Sequence, residues 1–364
     1  MKNFTRLFFL FISVFTATGI HAQKNFWNDI PESTAKNTGY KRIIIPNHYR
    51  TLSLDTSGLL AALQNAPKEF TTEARMAPVI IAIPMPDGTI RHFSVVEYSM
   101  MEPGLEATFP GIKTYSGQGI EDRTSTIKID WTEFGFHAMI LSPASGSVWI
   151  DPYARGDKQN YISYYKKDLT PRQFTELGVL PNTEAGKEVI NAAVAGGPCL
   201  GPTLRSYRLA VACTGEYAQA VGGTTAALLH SAIVTTVNRV NGVYETEVAV
   251  RLVLIANNNL IEYLTPGGDP FTGNNNGPLL IGESKSVINT NIGSANYDIG
   301  HTFSTGGGGL AGLGVVCTSS QKARGVTGLP NPVGDAYDID YVAHEIGHQF
   351  GGNHTFNATT GSCN

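Results

Sequence analysis

The sequence predicts an α/β (α+β) C-terminal domain preceded by a β-rich N-terminal one, and three observations lead there. Between residues 23 and 169, short apolar and β-branched runs alternate with turn signals. Beyond residue 206 the pattern changes to strand, long helix, strand. Near the end, His, Glu and Gly recur at helical spacing before a sharp stop. The 364 residues suffice for two domains, each with its own core.

Composition removes several function classes. Lys and Arg number 26 against 30 Asp and Glu, with no basic block, so an electrostatic grip on nucleic acid is not expected. The 40 glycines and 19 prolines follow no period, which excludes collagen and coiled coil. Four cysteines are too few for a disulfide scaffold at this length and suit an exported domain with one or two bridges.

In chain order, the first element is a leader. Lys2 and Arg6 precede the apolar run Leu7 to Phe15, and small and polar residues follow to Ala22. This is the form of a secretory signal peptide over residues 1–22. The run is well short of the ~20 apolar residues needed to span a bilayer. No later segment is long and apolar enough to span, so the mature protein is expected to be secreted or displayed at the cell surface.

Residues 23–195 form the β-rich region. Pro78 to Pro84 and Thr89 to Tyr98 flank the turn Pro86-Asp87-Gly88. Further strands are expected at Ser125 to Trp131, Gly135 to Ser142 and Ser147 to Ile150. His48, His92 and His137 stand far apart in sequence and read as structural or surface residues. Ala192 to Gly201 is small, Gly-rich and uncharged, and residues 196–206 are taken as the joint.

Residues 207–364 form the second domain. Tyr207 to Ala212 and Val248 to Ala256 read as buried strands. Between them Thr224 or Thr225 caps a helix whose apolar stripe is Leu229, Ile233, Val237 and Val240, ending at Gly242. Asn257 to Pro278 reads as a long loop. Asp269 is a calcium candidate there with no second feature to support it.

The chemistry lies in His344-Glu345-Ile346-Gly347-His348-Gln349-Phe350-Gly351-Gly352-Asn353-His354. Residues four apart on a helix share a face, so His344 and His348 can ligate one metal. Asp338 or Asp340 is expected to cap this helix and Gly351 to stop it, since glycine adopts the left-handed conformation cheaply. The chain can then turn so that His354 completes three imidazoles around zinc. Three protein ligands leave one position open, as in catalytic rather than structural sites. Glu345 would sit beside the water there, as general base and then proton donor to a leaving amine.

HExxHxxGxxH is the zinc signature of the metzincin metallopeptidases. From about Tyr207 onward the chain resembles the reprolysin-like branch found in secreted bacterial proteins. The resemblance rests on YRLAVACTGEY (Tyr207 to Tyr217), GLAGLGVVC (Gly309 to Cys317) and DYVAHEIGHQFGGNHTFN (Asp340 to Asn357). The HTF after the third His is similar to the pappalysin branch, the nearest rival. The resemblance implies a zincin-type fold with a metzincin zinc helix, and a secreted zinc endopeptidase acting on proteins or peptides. It also implies that an edge strand containing Gly309, Leu310, Ala311 and Gly312 binds extended substrate by strand addition. Residues 23–195 more loosely resemble the pro-regions that mask such domains. The family's Met-containing turn lies downstream of the third His, and no Met follows Met139 here, so the sequence is expected to stop short of that turn.

Four cysteines allow three pairings. Cys317 with Cys363 and Cys199 with Cys213 is the favoured set. The alternative places the Cys199 thiolate on zinc as a latency ligand. Two other functions compete with the peptidase: a non-catalytic, zinc-stabilised surface or adhesion module, and another zinc hydrolase chemistry such as deacylation. Glu345 speaks against the module, because a structural zinc needs no such carboxylate.

Overall fold

A computed structural model describes residues 25–36, 39, 41–170, 176–180, 203–306 and 308–354. The expected signal peptide, most of the Gly-rich joint, Cys199 and Cys363 lie outside these residues, as does the tail after His354. No helix among the described residues is long and apolar enough to cross a membrane.

The β-rich region folds as a nine-stranded antiparallel sheet. Its strands are β1 (Trp27–Asp29), β2 (Arg50–Leu54), β3 (Val79–Pro84), β4 (Ile90–Glu97), β5 (Lys113–Gly119), β6 (Thr126–Thr132), β7 (Gly135–Leu141), β8 (Val148–Pro152) and β9 (Asn160–Tyr165). Strands β3 to β9 form a meander, and β2 and β1 extend it beyond β9. Short connections between β-branched runs favour this neighbour-to-neighbour pairing. One face buries Ile81, Phe93, Ile127, Ile129 and Phe136 beneath Trp27 and the helix Thr56–Leu63. The three histidines of this region each meet a carboxylate: His48 with Asp168 at 3.3 Å, His92 with Glu121 at 2.5 Å and His137 with Asp130 at 3.0 Å.

The second sheet is mixed. It contains β10 (Glu176–Leu180), β11 (Arg205–Cys213), β12 (Val250–Leu254), β13 (Ile299–Ser304), β14 (Gly308–Gly312) and β15 (Gly325–Gly328), in the order β10-β14-β15-β13-β11-β12. β11 runs parallel to both β12 and β13, and β14 is antiparallel to β15. Strand β10, contributed from residues expected to belong wholly to the N-terminal region, pairs parallel with β14 and forms the sheet edge.

Helix α1 (Ala226–Glu247) lies between the two sheets. The Thr225 hydroxyl accepts from the amide of Leu228 at 3.2 Å, which is the expected cap. The stripe Leu229, Ile233, Val237 and Val240 is buried in the core over the second sheet. The opposite, polar face is buried too, against the nine-stranded sheet. Asp130 accepts from Thr235 at 2.7 Å and from Asn238 at 3.1 Å, and Arg239 is held between Asp151 and Asp338. The helix does not stop at Gly242. A Cβ there would lie 2.2 Å from the Met139 methyl, so this glycine admits the neighbouring sheet instead of ending the helix.

The segment read as one long loop contains a start signal. Asn276 accepts from the amide of Leu279 at 3.2 Å and caps helix α2 (Gly277–Asn291), with Pro278 in its first turn. Asp269 spends its carboxylate on the amides of Gly215 (2.6 Å) and Phe271 (2.8 Å).

Candidate metal centre and active site

The motif helix α3 is three consecutive stretches, Asp335–Tyr337, Asp338–Ala343 in π geometry and His344–Gln349. Neither aspartate expected to cap it does so. The helix begins earlier, at Gly334, and Asp338 is buried against Arg239 (2.8 Å) and Thr236 (2.7 Å). Asp340 meets Lys166 at 2.8 Å. Both carboxylates tie the helix to other parts of the chain, so neither caps an amide. A π stretch lies directly before the histidine-bearing turn, and this rare geometry is frequent at functional sites.

The C-terminal stop is as expected. Gly351 has φ 100°, its amide bonds to the His348 carbonyl, and the Gly352 amide reaches the Gly347 carbonyl. This is the double hydrogen bond of a Schellman ending, and it turns the chain back toward the helix face. Loop amides add to these bonds: Gly314 also donates to the His348 carbonyl, and Val315 to that of Gln349. From below, Tyr244 of α1 donates to the Ala343 carbonyl at 2.6 Å. Gln349 accepts from His301 at 2.8 Å and donates to the Gly300 carbonyl at 2.8 Å, which fixes the helix to β13.

This framework brings His344, His348 and His354 together. Their ring centroids are 4.5, 4.6 and 5.4 Å apart. The Nε2 atoms of His344 and His348 approach to 2.9 Å. His348 donates from Nδ1 to the Gly352 carbonyl at 2.5 Å, leaving the Nε2 lone pair for the cluster.

A fourth group, absent from the sequence expectations, completes the cluster. Glu176 of β10 places Oε2 2.6 Å from His354 Nε2 and 3.5 Å from His344 Nε2, and Oε1 3.4 Å from His348 Nε2. One ligand atom from each of the four residues lies within 4.8 Å of all the others. Tetrahedral zinc with bonds of about 2.0–2.2 Å separates its ligand atoms by about 3.4 Å. The four atoms therefore already converge on the space of a single ion. Nothing in the sequence marks Glu176, which stands 168 residues before His344 in an unremarkable Glu-Leu-Gly-Val-Leu strand.

Glu345 is fully buried, and neither carboxylate oxygen has a hydrogen-bond partner among the described residues. Burial first, and the Glu176 carboxylate second, push its pKa up to about 9. Burial and the neighbouring imidazoles hold His344 below the usual histidine value. Both shifts come first from burial, which penalises the charged form of either group. Gly309 of β14 lies directly against Glu345: a Cβ there would be 1.8 Å from Oε1. A cleft bounded by the imidazoles opens onto Val243, Tyr244, Val248 and Phe350.

The remaining expected site residues are placed as follows. Gly309, Leu310, Ala311 and Gly312 form β14 beside the motif helix. Here β14 is not a free edge, because β10 already occupies that side. Cys213 is buried and Cys317 exposed, both as thiols. Each one's expected partner lies outside the described residues.

With this geometry in place, comparison with known families decides the class. Residues 203–364 match the family described as Metallo-peptidase family M12B Reprolysin-like. The protein is a zinc metallopeptidase. Its matched segment covers the second sheet from β11 onward, both long helices and the whole histidine motif. The match does not separate the two branches that the sequence resembles. A search of curated proteins finds no matching relative.

Proposed function

We propose that this metallopeptidase is an exported endopeptidase in which His344, His348 and His354 hold zinc and Glu345 is the general base. The observation that carries the reading is the pairing of two features on one helix. Three imidazoles converge on the space of one ion, and beside them lies a buried carboxylate with no hydrogen-bond partner among the described residues. An unsatisfied buried carboxylate costs stability, and a purely structural metal site has no use for it.

When bound, zinc supplies a Lewis acid that acidifies water and polarises a carbonyl oxygen. The protein's own groups do the rest. Helix α3, fixed by Gln349 and Tyr244, sets the direction of the first two imidazoles, and the Gly351 turn returns His354 to them. Glu345 takes a proton from the attacking water and delivers it to the departing amine. The β14 backbone provides the edge against which an extended peptide pairs.

One feature of the interface supports reading residues 23–195 as a pro-region. The face that α1 shows to the nine-stranded sheet is polar, with Thr235, Asn238 and Arg239 satisfied by side chains of that sheet. Water can satisfy the same groups after separation, although Met100, Met101, Leu105 and Phe109 share the core of the second sheet and would be exposed with them. Export rests on the leader pattern of residues 1–22.

The test is cleavage of a denatured protein by zinc-loaded protein, with Glu345→Gln as control. Loss of turnover in the variant at full zinc occupancy is expected. Equal turnover would refute Glu345 as the base, and equal inertness at full zinc occupancy, persisting after removal of the pro-region, would favour the binding-module reading.

A further inference from the structure

Strand β10 fills two places that the reaction needs. Its backbone lies on β14 in parallel, with Glu176 opposite Gly309, Val179 opposite Ala311 and Leu180 opposite Gly312. The Leu313 amide bonds to the Leu180 carbonyl at 3.0 Å and extends the pairing past the strand end. This is the edge on which peptide substrate would otherwise add. In the same register, Gly309 is the residue that packs on Glu345. Glu176, directly opposite, is thereby aimed across the base and into the three imidazoles, with a side chain 12% exposed.

We propose that Glu176 is the fourth zinc ligand of the latent protein, and that β10 is an inhibitory strand which occupies the open metal position and the substrate edge together. The proposal rests on the assignment of His344, His348 and His354 to zinc. It assigns latency to a carboxylate, where the sequence suggested the thiolate of Cys199. No covalent bond changes: on activation β10 leaves β14, the Glu176 oxygen leaves the metal, and water takes its place. The strand is tethered, because Lys166, ten residues before Glu176, meets Asp335 at 2.9 Å and Asp340 at 2.8 Å, both on α3. A tethered strand competes at an effective concentration of about millimolar, which an untethered substrate must exceed.

The experiment uses the full chain as wild type, Glu176→Ala and Glu176→Gln, the last being nearly isosteric in case the alanine variant fails to fold. Three readings are taken on zinc-loaded protein: zinc per chain, affinity for acetohydroxamate by calorimetry, and turnover of a denatured protein. The expected result is one zinc in all three proteins. Acetohydroxamate should bind the folded variants at least tenfold more tightly than wild type, and turnover should rise at least tenfold. One zinc in each with unchanged hydroxamate affinity would overturn the role of Glu176 while leaving the zinc assignment intact. No zinc in any of the three would overturn the assignment itself, and the proposal with it. Opening of the wild-type site by a thiol-blocking mercurial, with Glu176→Gln still closed, would give the latency role to Cys199.

Discussion

Replacing Gly309 by alanine tests the role of Glu345 without touching a metal ligand. The new methyl would be 1.8 Å from Glu345 Oε1, 2.3 Å from its Cδ and 2.8 Å from its Cγ. Side-chain Cβ atoms essentially never come within 3.0 Å of a neighbour, so the carboxylate must retreat by about 1.2 Å. A displacement of about 1 Å in a positioned catalytic group costs about a hundredfold in rate. That corresponds to about 2.7 kcal/mol of barrier. The assay is steady-state cleavage of a labelled denatured protein in the Glu176→Gln background, with zinc content and thermal midpoint measured on the same samples. The expected outcome is full zinc occupancy, a midpoint within a few degrees of the parent and turnover reduced at least a hundredfold. Parental turnover with zinc bound would refute the placement of Glu345 as the base.

Two further predictions concern what holds the site in place. Arg239 is buried between Asp151 and Asp338, themselves 2% and 1% exposed. Arg239→Met strands both carboxylates and should cost about 3–5 kcal/mol in urea unfolding, partly recovered by adding Asp338→Asn. A cost below 1 kcal/mol would show that the cluster does not hold the sheet against α1. His301 is buried, and burial lowers its pKa from 6.5 to about 4. Its two contacts at 2.8 Å, donation to Gln349 and acceptance from Thr327, suit the neutral ring. The unfolded chain therefore takes up a proton at higher pH than the folded one. Stability should be complete above about pH 6.5 and fall by about 3 kcal/mol as the pH drops to about 4. His301→Gln should remove that part of the acid dependence, and an unchanged profile in chemical denaturation would contradict the assignment.

How much the sequence revealed depended on how local each cause was. Strands β3, β4, β6, β7 and β8 were legible because β-branched runs and their turns are neighbours in the chain, whereas β1, β2, β5 and β9 were not marked out. The Gly351 stop was legible for the same reason, and the histidine spacing needed only helix geometry. Gly242 misled because its reason is Met139, about a hundred residues away, whose methyl lies against the helix backbone. Asp338 and Asp340 looked like caps, but Arg239 and Lys166 use their charges across the fold. Helix α2 was hidden behind an Asn- and Gly-rich entry whose last residues are its own cap and first turn. Glu176 was the least visible residue of the site, since it acquires its place only when β10 pairs with a strand some 130 residues later in the chain.

X-ray absorption at the zinc edge of the full-length protein tests the central claim most directly. The account predicts a shell of nitrogen and oxygen only, at about 2.0–2.2 Å, with the outer-ring scattering of three imidazoles. A sulfur neighbour at about 2.3 Å, or fewer than three imidazoles, would contradict it.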